Sequence, residues 1–256
     1  MIGRVLNLAR RPDRRRQFID WNGGHGIRFD FVDAVDGAGQ AGADLVHDGI
    51  LAADAHTYSI GAIGNALSHR RLWLQAAAGA EPMLVFEDDC CLRRGFAQLL
   101  DQALAAAGEG WDIFFLGYNT NAAIAVITPE KLFGVVVFDD NALRKPGYFD
   151  KFAKGAPDAP PPYVFDTVRA WGTLGYVVTP KGAERLLDAC FPLASDRGVT
   201  MHVEGRAMLP RALDGMINLA LQDGRAAAKC CFPPIVCGPN DDSDVVLEPD
   251  PTGRGR

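Results

Sequence analysis

The chain has 256 residues, 48% of them apolar, and a formal net charge of −6. That composition lies well outside the disordered regime and fits one large α/β domain or two small ones. The acidic balance argues against a protein that tracks nucleic-acid phosphates, which carries a basic excess, although a local basic patch lies near the N-terminus.

The first residues, Met1-Ile2-Gly3-Arg4-Val5-Leu6-Asn7-Leu8, are too short an apolar stretch for a secretory signal and are interrupted by Arg4. No apolar run approaches the roughly 20 residues of a membrane span. The cysteines fall as Cys90-Cys91, Cys190, Cys230-Cys231 and Cys237, without a CxxC. Neighbours in sequence rarely both reach disulfide partners. The expectation is a reduced, soluble, cytoplasmic protein with no nucleic-acid partner and no transmembrane segment, with peripheral membrane contact left open.

In chain order, Arg4 to Leu8 reads as a buried strand, and Pro12-Asp13 opens a helix to about Trp21. Proline suits a first helical position because its missing donor would be unpaired there, and Asp13 favours the positive helix end. Gly23, Gly24 and Gly26 end that helix. Arg28 to Val32 alternates polar and apolar residues and reads as a second strand. Asp33-Ala34-Val35-Asp36-Gly37 begins a long loop to about Thr57. Ser59 caps a helix to about Ala78, with Ile60, Ile63, Leu67 and Leu74 as its apolar stripe. Met83 to Phe86 is a strand ending in Glu87-Asp88-Asp89. A helix from about Gly95 to Ala107 and a strand from Asp112 to Leu116 complete a strand–helix alternation, which predicts a mainly parallel sheet flanked by helices.

The second half is less regular. Residues 123–128 and 133–138 read as strands, antiparallel at a sheet edge. Residues 139–165 hold Pro146, Pro157 and Pro160-Pro161-Pro162 and read as a long mobile surface loop. Leu174 to Val178 is a strand, Thr179-Pro180 starts a helix to about Cys190, and a further helix spans Arg211 to Gln222. Residues 241–256 form a polar tail.

The acidic turn is the most informative feature. Ligands in an open α/β sheet bind outside the carboxyl ends of the strands, and three adjacent acids repel unless a cation or hydrogen bonds offset the cost. A divalent cation holding a diphosphate would do so. The alternative is a solvated turn capping the next helix, and spacing alone does not choose. Arg10 and Arg11 follow a strand where phosphate is favoured, whereas Arg15 and Arg16 read as a solvated helix face. His69 and Trp73 lie one turn apart, and a histidine so placed is more often structural than catalytic. Gly61 and Gly64 permit close backbone packing on the same helix. Phosphate-loop, dinucleotide, H-E-x-x-H and G-x-S-x-G patterns are missing.

Several segments resemble glycosyltransferase family 25, the lipooligosaccharide (lipopolysaccharide) biosynthesis and procollagen galactosyltransferase group. They are Val5-Leu6-Asn7-Leu8-Ala9-Arg10-Arg11-Pro12-Asp13-Arg14-Arg15, Asp33-Ala34-Val35-Asp36-Gly37, and the run Ile60 to His69 followed by Trp73. Leu84 to Asp89, Asp112 to Gly117, Gly172 to Val178 and Thr179 to Leu187 continue it in order. Each motif is weak alone, but seven in the right order are specific.

The resemblance implies a GT-A-like single domain over 1–240, with a nucleotide-binding part over about 1–120 and an acceptor-side part over about 121–240. It implies metal-dependent inverting transfer of a hexose, galactose or glucose favoured, from a nucleotide-sugar (a UDP-hexose favoured) to a hydroxyl acceptor such as a glycan. Asp89 with Asp88 would hold Mn²⁺ or Mg²⁺. Asn7, Arg10, Arg11 and Asp36 would hold the nucleotide, with Glu87 beside them, and His69 would contact donor or acceptor. Gly172, Thr173 and Tyr176 would line the sugar pocket, with a place in the core as the equal alternative for Tyr176. Asp214 is the candidate base, with a metal or acceptor ligand as its alternative role, although Pro210 lies four residues before it, unlike the family's Pro-x-Asp motif, and Asp88 shares the catalytic turn. The rival readings are a nucleotidyltransferase and a non-catalytic nucleotide- or glycan-binding module.

Overall fold

A computed structural model of the protein describes residues 1–40, 42–143, 145–155, 161–202 and 205–239. The first strand, β1 (Ile2–Asn7), leads through α1 (Pro12–Asn22) to β2 (Arg28–Asp33), which lies parallel to it. Pro12 stands in the first turn of α1, and Gly23 closes the helix with its N–H on the Ile19 carbonyl at 2.8 Å.

The segment expected as one long loop carries a 3-10 turn (Gly37–Gly39) and α2 (Gly42–His47). Asp36 caps the turn by accepting from the Ala38 amide at 3.2 Å. Leu45 then buries with Val35 and Leu67, an apolar anchor that makes this stretch more than a connection.

In α3 (Ile60–Ala77), Ser59 accepts from the Ala62 amide at 3.1 Å. The expected stripe is only partly the buried one: Ile60 is 62% exposed and Leu74 46%, while Ala62, Ala66, His69, Trp73 and Ala76 are buried. Small residues face inward because α3 packs closely against its neighbours. A Cβ built on Gly64 would lie 2.6 Å from the Val35 carbonyl oxygen.

Then come β3 (Met83–Glu87), the short β4 (Cys91–Leu92), α4 (Phe96–Ala107), β5 (Ile113–Gly117), and the antiparallel pair β6 (Ile124–Ile127) and β7 (Phe133–Val136). The expected proline-rich loop instead contains α5 (Asp140–Leu143), α6 (Tyr148–Lys154) and the start of β8 (Tyr163–Arg169). Residues 156–160 of that stretch, and the expected polar tail, lie outside the described residues. The chain continues with β9 (Gly175–Val178), α7 (Pro180–Cys190), β10 (Val199–Met201), β11 (Arg206–Met208), α8 (Leu213–Gln222), β12 (Ala228–Phe232) and β13 (Val236–Cys237).

The result is α/β, with one nine-stranded mixed sheet in the order β2-β1-β3-β9-β5-β12-β8-β6-β7. Strands β2, β1, β3, β5, β12 and β6 point one way, while β9, β8 and β7 oppose them. Period-two alternation sends Val5, Leu84 and Phe86 into a core with Phe18 of α1 and Phe96 of α4. Leu6 and Val85 go to the opposite core with Trp73 of α3, Leu186 of α7 and Ile217 of α8. Helices therefore cover both faces, and the parallel strands β1, β2 and β3 end together at Asn7, Asp33 and Glu87. No described helix is long and apolar enough to cross a membrane.

Candidate functional site

The three acids at the end of β3 are held very differently. Oε1 of Glu87 accepts from Thr173 Oγ1 at 2.5 Å and from Asn65 Nδ2 at 3.0 Å, and pairs with His69 Nε2 at 3.2 Å. Burial works to raise its pKa, but the contacts from His69, Thr173 and Asn65 outweigh it and hold the carboxyl low. Oδ2 of Asp88 accepts from Asn7 Nδ2 at 2.6 Å, and Oδ1 from Arg14 Nη1 at 3.3 Å. Burial nevertheless raises the Asp88 pKa. Asp89 has the opposite environment: its Oδ1 is buried without a hydrogen-bond partner. Burial, then the neighbouring charge of Glu87, pushes its pKa up to about 7.

Three clefts meet at Asp89. The first lies over the ends of β1 and β2 and is lined by Leu6, Leu8, Arg10, Arg14, Val35 and Asp36, among others. Backbone contact sets its floor: Gly37 and Gly64 lie so close that a Cβ on Gly64 would sit 2.7 Å from the Gly37 nitrogen. Ser68 ties the same loop to α3, accepting from the Val35 amide at 2.8 Å and donating to the Gly64 carbonyl at 2.7 Å. At the rim, Arg10 Nε donates to Asp36 Oδ2 at 3.0 Å, and this contact lowers the Asp36 pKa.

The second cleft is lined by Arg11, Asp13, Gln17 and Trp21 of the α1 region and by residues 145–150. The third holds Asn65, Glu87, Asn119, Asn121, Thr173 and Asp214. Asp214 sits in the first turn of α8. Its Oδ2 accepts from the Gly172 amide at 2.7 Å and its Oδ1 from the Gly215 amide at 2.8 Å. Burial is the main influence on its carboxyl and raises its pKa. Gly172 has φ +84°, and a Cβ there would lie 2.2 Å from Asn119 Oδ1, so glycine lets this backbone reach both Asp214 and Asn119.

The structure thus brings Asn7, Arg10, Asp36, Glu87, Asp88, Asp89, Gly172, Thr173 and Asp214 around one junction of clefts. Two residues depart from expectation, and a third, Tyr176, takes one of its two expected places. Arg11 turns to the second cleft, where its Nη2 pairs with Asp13 at 3.0 Å; Arg14, one turn on along α1, takes the position beside Asp88 instead. His69 is 0% exposed and lies behind Glu87 rather than open to a ligand. Its Nδ1 meets the equally buried Tyr176 hydroxyl at 2.8 Å, so Tyr176 is core and not pocket wall. Sequence reading missed Asn65, Arg14, Asn119 and Asn121. Asn65 was legible, four residues before His69 on α3 and therefore on the same face; Asn119 and Asn121 follow a strand end and carried no pattern.

Among the described residues, no three His, Cys, Asp or Glu side chains gather in a ready-made metal site. The donor set still fits a hard divalent cation that takes one or two carboxylates and completes its shell with phosphate oxygens and water. Asp89 offers a buried, unpartnered oxygen, and a cation would offset its cost of ionisation.

A family model described as glycosyltransferase family 25 (LPS biosynthesis protein) matches residues 4–199. Among curated relatives, the Neisseria meningitidis lacto-N-neotetraose biosynthesis glycosyltransferase LgtB is 30% identical over 193 residues, 73% of this chain and 61% of that protein. The mouse inactive glycosyltransferase 25 family member 3 is 31% identical over 144 residues, 52% of this chain and 24% of that protein. An Aedes aegypti glycosyltransferase 25 family member is 35% identical over 126 residues, 44% of this chain and 20% of that protein. The match thus spans about a quarter or less of the mouse and mosquito relatives. The solved inositol-1-phosphate CTP transferase of T. maritima aligns over 96% of this chain and 91% of its own, with a TM-score of 0.38 and 12% identity. With the motifs in order and the matched region covering most of the chain, the protein belongs to glycosyltransferase family 25.

Proposed function

We propose that the protein transfers a hexose, with galactose or glucose favoured, from a nucleoside-diphosphate sugar to a hydroxyl of a glycan acceptor, with inversion. The observation that carries this reading is Asp89, which lines all three clefts and whose carboxylate keeps a buried, unpartnered oxygen. The LgtB name, which refers to a glycan, supports a saccharide acceptor.

In this reading the nucleotide lies in the cleft between Arg10, Asp36 and Arg14, with its diphosphate toward Arg14 and the acidic turn. Asp89, with Asp88, would hold Mn²⁺ or Mg²⁺, which supplies charge neutralisation of the leaving diphosphate. Asn7 and Arg14 fix Asp88, and Thr173, Asn65 and His69 fix Glu87, so only Asp89 remains to be satisfied by what binds. The hexose lies in the cleft with Asn65, Asn119, Asn121 and Thr173, whose amides and hydroxyl match sugar hydroxyls. Asp214 takes the acceptor proton as the acceptor oxygen bonds to the anomeric carbon and the bond to the phosphate oxygen breaks. Its burial favours proton uptake, and each of its oxygens keeps a lone pair beyond the amide it accepts.

The test is product analysis with a panel of nucleotide-sugars, Mn²⁺ and saccharide acceptors. Release of nucleoside diphosphate with a glycosylated product is expected, and it should disappear in Asp89→Ala. Pyrophosphate release would point to a nucleotidyltransferase instead. A second reading, binding without turnover, is favoured by the names of the mouse and human relatives, which call them inactive; donor binding with no product across the panel would establish it.

A further inference from the structure

Next to the second cleft, with which it shares Leu143 and Tyr148, lies a further cavity of largely apolar walls, and among the described residues the Arg93 guanidinium on those walls has no anionic partner. Phe138, Tyr148, Phe152, Phe232 and the prolines 233 and 234 line it, with Arg93 and Thr120 among them. Nη1 of Arg93 is buried without a hydrogen-bond partner, and so is Oγ1 of Thr120, a residue only 4% exposed. Among the described residues Arg93 makes no ion pair, and Asp139, the carboxylate of this wall, is exposed. Arginine cannot shed its proton to escape the cost of burial. Arg93 is half-buried, and covering its Nη1 donor against these walls carries a cost that an anion meeting it would offset.

Two orphaned donors in one cavity, a guanidinium and a hydroxyl, match the oxygens of a single carboxylate or phosphate. The rings and prolines match an apolar body attached to it. We infer that the Arg93–Thr120 cavity binds an amphiphilic anion, one oxyanion head on an apolar tail. None of the three acids of the turn lines this site, although it shares Leu143 and Tyr148 with the second cleft, and it needs no part of the proposed transfer reaction. It also lies back to back with the third cleft, because Thr120 lies between Asn119 and Asn121, which line that cleft.

The experiment titrates the whole chain with the anionic fluorophore 1-anilinonaphthalene-8-sulfonate and displaces it with decanoate, decyl phosphate or uncharged decanol, below their micelle concentrations. Saturable binding is expected, displaced by the two anions and not by decanol, with the stronger competitor telling a carboxylate head from a phosphate head. Arg93→Met, which keeps much of the stem and removes the charge, should weaken anion binding by about tenfold or more. It should leave the ligand-free melting temperature unchanged or higher. Thr120→Val should weaken binding less. Absence of saturable binding, displacement by decanol as strong as by the anions, or undiminished binding in Arg93→Met overturns the inference. A lower melting temperature for ligand-free Arg93→Met also overturns it, because the charge would then already be met within the chain.

Discussion

The hydroxyl of Tyr176 lies 2.8 Å from Nδ1 of His69 and 2.9 Å from the indole nitrogen of Trp73, all three side chains fully buried. The indole N–H can only donate, so the Tyr176 oxygen accepts it and the single O–H is left for His69. Nδ1 of His69 is then the acceptor, Nε2 carries the proton, and it points at Glu87 Oε1, 3.2 Å away. A relay from the core thus sets the orientation of the first acid of the turn.

Replacing Tyr176 with Phe removes both ends of that arrangement and strands the Trp73 donor and the His69 acceptor. The expected loss of stability is about 1–3 kcal/mol, the usual cost of leaving a buried polar group unmet. Nitrogen-15 spectra of the neutral imidazole should show the Nε2-protonated tautomer of His69 in the parent and a mixture in Tyr176→Phe. A parent histidine protonated on Nδ1 alone would contradict the relay.

Asp89 should make stability depend on pH in a recognisable direction. Its folded-state pKa of about 7 lies above its ordinary value of 3.8. The folded protein therefore binds the extra proton, and the resulting stabilisation is present below about pH 4 and lost as pH rises through 7. Asp89→Asn removes this dependence, so the variant should melt above the parent at pH 8 and close to it at pH 4. About 1.4 kcal/mol per pKa unit gives an upper bound near 4 kcal/mol, lowered because part of the side chain meets solvent. Parallel melting curves from pH 4 to 8 would rule the assignment out.

The contact between Gly64 and the loop at Gly37 leaves no room for a methyl group. Gly64→Ala should cost about 1–3 kcal/mol by overpacking, and it should weaken nucleotide binding by moving Asp36. Gly24→Ala is the control, since nothing lies within 4 Å of a Cβ there; chemical denaturation of both variants separates crowding from a general intolerance of alanine.

The first half of the molecule was readable because its signals are local. Pro12 and Ser59 mark helix starts, four apolar residues run into Glu87, and alternation from Arg28 shows a half-buried strand. Sheet order was not readable: β9 enters antiparallel between β3 and β5, a choice made by tertiary packing. Strand β8 was hidden because proline-rich sequence precedes it, and β12 because Ala-Lys-Cys-Cys-Phe carries no alternation. At the site, the acids stood out by type, but their unequal environments did not. Nothing in Glu87-Asp88-Asp89 as written says that Asn7, Arg14, Asn65 and Thr173 answer the first two and leave Oδ1 of the third without a partner. Arg11 and Arg14 show the same limit, since helix geometry alone decides which one reaches Asp88.

The central claim, that Asp89 joins a divalent cation to the diphosphate of a nucleotide, is tested most directly by calorimetric titration of UDP into the protein at pH 7.5. The parent is expected to bind UDP with Mn²⁺ present and at least about tenfold more weakly after EDTA treatment, a difference of about 1.4 kcal/mol. Asp89→Asn should bind with and without Mn²⁺ as weakly as the metal-free parent. Equal affinity for UDP in all four titrations would contradict the assignment of Asp89.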